Sequence, residues 1–340
     1  MMKVAVVILN YNGKAFLERF LAQVVASCPD WAEVIVADNA STDGSADFMR
    51  ECFPEVRLIE NGSNDGFSTG YNLALQKVDA QYFVLLNSDI EVAPGWIEPV
   101  VALMDADPQI AACQPKILSY HHKERFEYAG ACGGFIDKYG YPFCRGRVFQ
   151  HLEADQGQYD TPMEVFWATG ACMFVRADLY RKFGGLDDSF FAHMEEIDLC
   201  WRLKNAGYKV FCCPASRVYH IGGGTLPKNS PRKTYLNFRN NLSVLVKNLP
   251  EGRVCRIILY RILLDWVASL KFLFEGCFRD FIMVFKAHFD FYRRMKSLRE
   301  KRKGNQHRQV SCVYRRNIVV DGMLLGKNKF SALREQDFSK

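Results

Sequence analysis

Carboxylates and amides collect at a few points of this 340-residue chain, each directly after an apolar run. Asn10-Tyr11-Asn12 follows residues 4–9, Asp38-Asn39 follows residues 34–37, and Asn87-Ser88-Asp89 follows residues 82–86. Further along, Glu195-Glu196-Ile197-Asp198 opens a helical pattern, and a lone His220 stands just before Gly222-Gly223-Gly224. These groups are oxygen ligands and proton acceptors. A hard divalent cation takes one or two carboxylates and fills its shell with substrate oxygens and water. A carboxylate can accept the proton of an attacking hydroxyl, and neutral imidazole can complete a metal shell.

The elements that must position these groups follow from periodicity. Residues 4–9, 34–37, 57–60 and 82–86 read as strands. Between them stand helical patterns through Leu17, Phe20, Leu21 and Val24, through residues up to Cys52, and over 68–78. This βαβαβαβ rhythm predicts a mainly parallel sheet covered on both faces. Ligands in such sheets sit at the carboxyl ends of the strands, where three of the polar clusters fall. Residues 110–180 read as short strands with glycine-rich turns. A helix from Glu195 to Ala206 ends at Gly207, strands follow at 209–213 and 218–220, and the chain is helical from Pro231. From Gly304 a polar linker leads to an expected short strand at 317–320.

Composition narrows the class. A chain that is 49% hydrophobic and 14% aromatic can bury a large core. Residues 251–303 carry 13 Lys and Arg against 6 Asp and Glu, so the net +6 belongs to that segment. Twelve scattered cysteines without a C-x-x-C pair fit buried reduced thiols in a cytosolic protein. The start of the chain lacks the pattern of a signal peptide, so a cytoplasmic location is expected. The most apolar stretch, 257–274, is interrupted by Arg261, Asp265 and Lys271, and no transmembrane helix is expected.

In order and spacing, VVILNYN, VADNASTDGS, NGSNDGFSTGYNLAL, LLNSDIEV, ATGACMFVRADLY and GGLDDSFFAHMEEIDLCWRLKNAGYKV resemble glycosyltransferase family 2, the inverting enzymes of GT-A fold, over roughly residues 3–245. The resemblance implies a nucleotide-diphosphate sugar as donor and a divalent cation, magnesium or manganese, as cofactor. It places Asn10, Asn12, Asp38, Asn39, Asn64, Gly66, Phe67, Asn72, Asn87 and Ser88 around the nucleotide sugar. Asp38 would accept the imide N–H of a uracil or thymine, with an Asx turn onto Ser41 or Thr42 as the plain alternative. The helix start at Asn64–Asn72 would face the diphosphate. Asn87-Ser88-Asp89 stands where the family carries D-x-D, so Asp89 becomes the metal ligand, joined by His220. The change of the first acid to Asn weakens the protein-only metal site. Glu196 takes the position of the base, with Glu195 second; Asp198 is equally an ion-pair partner for Arg202 four residues on. Arg239-Asn240 resembles a family pair with a diphosphate or structural contact.

The resemblance divides the chain into a catalytic domain at 1–245, with a donor half at 1–115 and an acceptor half at 116–245. A basic helical extension follows at 246–303, then a tail at 304–340. The motif style around Trp167-Ala168-Thr169-Gly170 and FFAHMEEIDLCWR looks like the rhamnosyltransferase-like branch, implying dTDP-rhamnose or a UDP-sugar and a glycan or lipid-linked glycan acceptor. A catalytically inactive carbohydrate-binding or scaffold protein on the same fold is the alternative. The segment 254–303 could lie on the inner face of an anionic membrane, pack as a helical subdomain or form a homodimer interface. Nucleic acid is not expected, because the aromatics there read as buried. A Rossmann dinucleotide enzyme is excluded, since NYNG replaces G-x-G-x-x-G after the first strand.

Overall fold

A computed structural model describes residues 2–222 and 230–340. Its first part is the expected alternation. Strands β1 (Met2–Asn10), β2 (Ala32–Asp38), β3 (Arg57–Glu60) and β4 (Ala80–Asn87) are linked by helices α1 (Lys14–Ala26), α2 (Ser45–Cys52) and α3 (Phe67–Leu75). The strands lie in the order β3-β2-β1-β4 and run parallel. Their unbroken apolar runs reflect burial on both faces. In β1, Val4, Val6 and Ile8 pack with Leu17, Leu21 and Val24 of α1, while Ala5 and Val7 face Tyr71, Ala74 and Leu75 of α3. The short β5 (Ile90–Val92) and helix α4 (Glu98–Ala106) follow.

The second part extends this sheet with strands of both directions. Next in the chain are β6 (Ile110–Ser119), β7 (Gly134–Asp137), β8 (Pro142–Cys144), β9 (Arg147–Val148), β10 (His151–Leu152), β11 (Met163–Val165) and β12 (Cys172–Arg176). Then come α5 (Ala177–Lys182), α6 (Glu195–Asn205) and β13 (Lys209–His220). Strand β12 inserts antiparallel between β4 and β6, β13 runs parallel to β6, and β11 and β5 pair antiparallel with β13. The two strands expected at 209–213 and 218–220 are one, irregular between Cys213 and Arg217. The sheet is thus parallel through the first half and mixed beyond it.

Helices α7 (Pro231–Asn248), α8 (Val254–Phe274), α9 (Phe278–Arg293) and α10 (Met295–Lys303) form a bundle beside α6, and β14 (Val313–Tyr314) follows. No helix among the described residues is long and apolar enough to cross a membrane. Strand β14 completes a five-stranded sheet in the order β10-β9-β8-β7-β14. The strand expected at 317–320 is displaced to 313–314. Residues 318–324 turn helically instead, because Asn317 caps Val319 and the Ile318 N–H donates to Asp137. Phe330 and Phe338 from the tail pack on Phe135 and Phe143. All twelve cysteines are free, eight of them buried.

The expectation that the aromatics of 254–303 are buried is corrected. Trp266, Phe274, Phe278, Phe285, Phe289 and Tyr292 are exposed, Phe274 to 86%. The helices use other faces for packing: Ile257, Ile258 and Ile262 on α8, Val284, Ala287 and Phe291 on α9. A buried set, Arg261–Asp265–His288, joins them, with Nε2 of His288 3.1 Å from Asp265.

Candidate active site

Three strand ends meet as one polar edge. The Asn10 amide donates to Asp38 at 2.9 Å, and Asp38 also accepts from the backbone N–H of Ser41 (2.8 Å) and its hydroxyl (2.6 Å). Asn12, in the left-handed conformation at φ 50°, accepts from the Thr42 N–H at 2.7 Å. Asn is among the few residues that enter this region readily. The Asx turn onto Ser41 is therefore present. Oδ1 of Asp38 takes both the Asn10 amide and the Ser41 hydroxyl, whereas Oδ2 takes only the Ser41 N–H and keeps lone-pair capacity for a ligand N–H. Ser88 stands beside Asn10, since a Cβ on the intervening Gly13 would meet both side chains. Asn87 is half-buried at the end of β4, its N–H held by the Ala171 carbonyl.

The start of α3 is set by Gly66, at φ 100°, where a Cβ would strike Phe191 at 2.6 Å. Asn39 is spent beneath it, donating to the Gly66 carbonyl and accepting from Asn61. Phe67 gives its N–H to the Phe191 carbonyl (2.7 Å) and lays its ring against Gly170, which also neighbours the Glu196 Cβ. Asn64 is exposed and accepts from the Gly66 N–H. Asn72 departs from the expected cluster. Its amide is saturated by Tyr180, both backbone groups of Leu186 and the Asp188 carboxylate, so it ties α3 to the 180–188 segment.

Asp89 and His220, 131 residues apart in sequence, meet at 3.1 Å through Nε2, both almost fully buried. The other ring nitrogen, Nδ1, lies 3.1 Å from Glu127, off the line of a good hydrogen bond. Burial would depress His220, but the two carboxylates push it up to about 10; burial would raise Asp89 and Glu127, and the imidazolium holds both below the usual range. Gly222 sits at φ 75°, which favours glycine, and a Cβ there would crowd the Glu127 carboxylate at 2.8 Å. Gly223 and Gly224 lie outside the described residues. Among the described residues no three His, Cys, Asp or Glu groups converge on one ion. Asp89 offers one oxygen ligand, and His220, whose Nε2 now bonds that carboxylate, would add a nitrogen only on losing its Nε2 proton as a cation binds; such a cation would complete its shell with diphosphate oxygens and water. Glu127, on the far side of the ring, is placed to orient the imidazole. Sequence reading missed it because nothing local links residue 127 to residue 220.

The acidic helix start is held under strain. Phe191, His193 and Met194 all have positive φ (69°, 69° and 75°), a costly conformation for such side chains. Asn240 restrains the turn, donating to the carbonyls of Phe190, Ala192 and His193, and Arg239 donates to that of Phe190 at 2.9 Å. The Arg-Asn pair therefore makes the structural contact. Beyond the turn, Glu195 is buried and Glu196 half-buried, and the Oε2 of each is enclosed without a hydrogen-bond partner. Burial, only partly offset by the N–H groups of the helix start, pushes Glu196 up to about 7. Burial and the charge of Glu196 hold Glu195 well above the usual range. This is the environment that tunes a carboxylate for base catalysis near neutrality.

Asp198 is not part of this pair and makes the ion pair with Arg202 that stood beside the catalytic expectation. It is fully buried and accepts from Arg202, Lys247 and Asn248, each at 2.8 Å. Lys247 also bonds Asp187, which accepts from Lys301 as well, so α6, α7 and α10 are joined through one ionic network.

Residues 5–183 match the family described as Glycosyl transferase family 2. The chain belongs to that family. It is 28% identical over 230 residues to N-acetylglucosaminyl-diphospho-decaprenol L-rhamnosyltransferase of Mycobacterium tuberculosis, covering 63% of this chain and 75% of that protein. Its fold is similar to GalNAc-T7, solved with UDP, GalNAc and Mn2+, at TM-score 0.56 and 18% identity over 74% of this chain and 49% of the other. It is also similar to the mannosyltransferase PcManGT from Pyrobaculum calidifontis, solved with GDP-Man and Mn2+, at TM-score 0.52 and 17% identity over 88% of this chain and 84% of the other. The family 2 chain thus has a GT-A-type fold with added C-terminal helices and is a glycosyltransferase of nucleotide-sugar donors, rhamnosyltransferase-like in its relatives.

Proposed function

We propose that the chain transfers a sugar, with inversion, from dTDP-rhamnose or a UDP-sugar to a hydroxyl of a lipid-linked glycan. The observation that carries the reading is the enclosed, unpartnered Oε2 of Glu196, raised to about 7, beside the Gly170–Phe67 wall of the donor edge. In the mechanism, Glu196 takes the acceptor proton as the hydroxyl oxygen attacks the anomeric carbon and the bond to the diphosphate breaks in line. Glu195, kept protonated, leaves a single negative charge on the pair. Asn10, Asn12, Asp38, Asn87 and Ser88 position the nucleotide, and Asn64, Gly66 and Phe67 border its diphosphate. Asp89 and His220 would hold a magnesium or manganese ion, which when bound neutralises charge on the departing diphosphate. The donor half is residues 1–115, the acceptor half 116–245 and the extension 246–303.

The test is a thermal-shift titration with UDP, dTDP and GDP, each with and without manganese. One nucleotide at about one hundred times its dissociation constant should stabilise the fold by roughly 2.7 kcal/mol, in a manganese-dependent manner. Asp89→Ala should abolish the manganese-dependent part. Glu127→Gln should weaken manganese affinity by about 10- to 100-fold. A shift indifferent to manganese and to Asp89 would remove the metal site; no shift with any nucleotide would favour a scaffold.

The exposed apolar face of α8 and α9 supports peripheral contact with an anionic membrane. Leu259, Leu263, Trp266, Leu270 and Phe274 recur at helical spacing on α8, as do Phe278, Ile282, Phe285, Phe289 and Tyr292 on α9. The three acids of α8 and α9 are engaged by neighbouring side chains, Asp265 by His288, Asp280 by Thr234 and Asp290 by Tyr235, while Glu275 between the helices is exposed beside Lys271. Arg256, Lys271, Arg279, Lys286 and Arg293 stay exposed around the aromatics. Apolar side chains ringed by cations suit an anionic headgroup layer. The double variant Phe274→Glu, Phe289→Glu should lose co-sedimentation with phosphatidylglycerol vesicles while keeping its melting temperature. Unchanged sedimentation would assign the face to a dimer instead.

A further inference from the structure

A cavity of about 640 Å3 opens between the segment preceding α6, the start of α7 and the side of α9. Arg232, Arg239, Lys286 and Arg294 line it, with Phe191 and Tyr235. Among the described residues none of these four cations forms an ion pair with a carboxylate. The Asp188 carboxylate at the rim accepts from Asn72, and Asp290 is engaged by Tyr235. Backbone carbonyls and rings hold the cations in place instead. Arg294 donates to the Ser189 carbonyl at 2.6 Å, Arg232 stacks on Phe191 at 4.5 Å, and Lys286 lies 5.5 Å from the Tyr235 ring. Those contacts use only part of the donor capacity of Arg232, Lys286 and Arg294, whereas Arg239 spends most of its donors on Asn240, Tyr235 and the Ser189 and Phe190 carbonyls and contributes mainly its charge. Four like charges around one hollow repel each other, and an anion among them removes the penalty. Helix α7 is 18 residues long, and its N-terminal end at the cavity adds partial positive charge of the same sense.

Two neighbours say what kind of anion fits. Phe191 and Ser189 lead directly into the strained turn before Glu195 and Glu196, and Phe191 also closes on Gly66 of the donor edge. On the other side, Lys286 and Met283 of α9 adjoin the exposed Ile282 and Phe285, so the cavity meets the apolar face. A ligand spanning it would have an apolar chain toward α9, its phosphate in the hollow and its first sugar toward Glu196. We propose that this cavity binds the phosphate or diphosphate joining the acceptor glycan to its lipid, an assignment that rests on the lipid-linked acceptor proposed above. Guanidinium groups are the natural donors for such oxygens.

Binding of farnesyl diphosphate, farnesol and inorganic pyrophosphate is measured by calorimetry on the full chain, beside its variant Arg232→Glu, Lys286→Glu. Both positions are exposed, so the fold is kept, and a melting curve checks this. Farnesyl diphosphate should bind more tightly than farnesol or pyrophosphate alone. The variant should lose about tenfold or more of that affinity, with manganese-dependent nucleotide binding and farnesol binding unaltered. Equal affinity of both proteins for farnesyl diphosphate would overturn the assignment. A loss confined to phosphatidylglycerol vesicles, with farnesyl diphosphate binding intact, would give the cations to phospholipid headgroups and overturn it too. Nucleotide binding on the same samples separates the failures: if it persists, only the cavity assignment falls, and if it is absent, the transferase reading falls with it.

Discussion

Glutamine at position 196 lowers kcat by about 10²- to 10⁴-fold, the usual contribution of a general base, and at the same time makes the protein harder to melt. Both effects come from one buried carboxyl. Glu196 titrates near 7 in the folded chain against an ordinary value of 4.5, chiefly because burial disfavours its charge. Below pH 4.5 the group is protonated in both states and contributes nothing. Between 4.5 and 7 the unfolded chain releases the proton while the folded chain keeps it, so stability falls as pH rises. Above 7 the penalty is constant at about 3 kcal/mol, taking 1.36 kcal/mol for each pH unit. Glu196→Gln removes that penalty, so its gain in melting temperature is full at pH 8 and vanishes near pH 4. Wild-type kcat falls as pH drops through about 7, when the base is neutralised. Calorimetry at the two pH values and a kcat profile check both halves. If Glu195→Gln carries the kcat loss and Glu196→Gln does not, the base is Glu195.

Alanine at position 198 has the opposite character: the fold suffers, and the chemistry in molecules that remain folded does not. Removing the Asp198 carboxylate leaves Lys247 with Asp187 as its remaining acid and Arg202 with only the Phe183 and Gly185 carbonyls. Breaking a buried ionic network by deleting one partner costs about 3–5 kcal/mol. Urea midpoints measure the loss, and kcat at low temperature should stay within a few-fold of the parent. A hundredfold drop in kcat with an unchanged midpoint would return Asp198 to the reaction. Burial pushes Asp187 and Asp198 up, but the facing cations win and hold both below the usual range. Their stabilisation is therefore fully present above about pH 4 and is lost as pH falls further. Wild type should accordingly show an acid transition that is weaker in the variant, which keeps Asp187 on Lys247 and Lys301.

The parallel half was legible because its signals are local: an apolar run ended by polar residues marks both a strand and its polar end. Glu195-Glu196 at a helix start was legible for the same reason. Asp198 showed its i, i+4 partner Arg202 but not Lys247 or Asn248, which arrive from a helix about fifty residues away. Glu127 is joined to His220, and Asn72 to Leu186, only by tertiary folding. The aromatics of α8 and α9 misled because hydrophobicity marks what prefers to leave water, and a lipid surface satisfies that as well as a core does. The tail strand was misplaced by four residues because a two-residue strand has no periodicity to read.

That tail has a consequence for biogenesis. The parallel part, β1 to β4 with α1 to α3, buries its core with residues close together in sequence, so it can close while synthesis continues. The five-stranded sheet cannot. Its edge at β7 waits for β14, and Asp137 waits for Ile318, 181 residues later. Cys312 in turn is bonded to the carbonyl of Ser339. Until those residues leave the ribosome, β7 presents an unpaired edge and Phe135 and Phe143 lack their aromatic cover, the kind of surface on which nascent chains associate. Chaperones that shield β-edges should therefore hold this chain until residues 313–338 are made, and a stop codon near residue 310 should yield aggregate rather than folded protein.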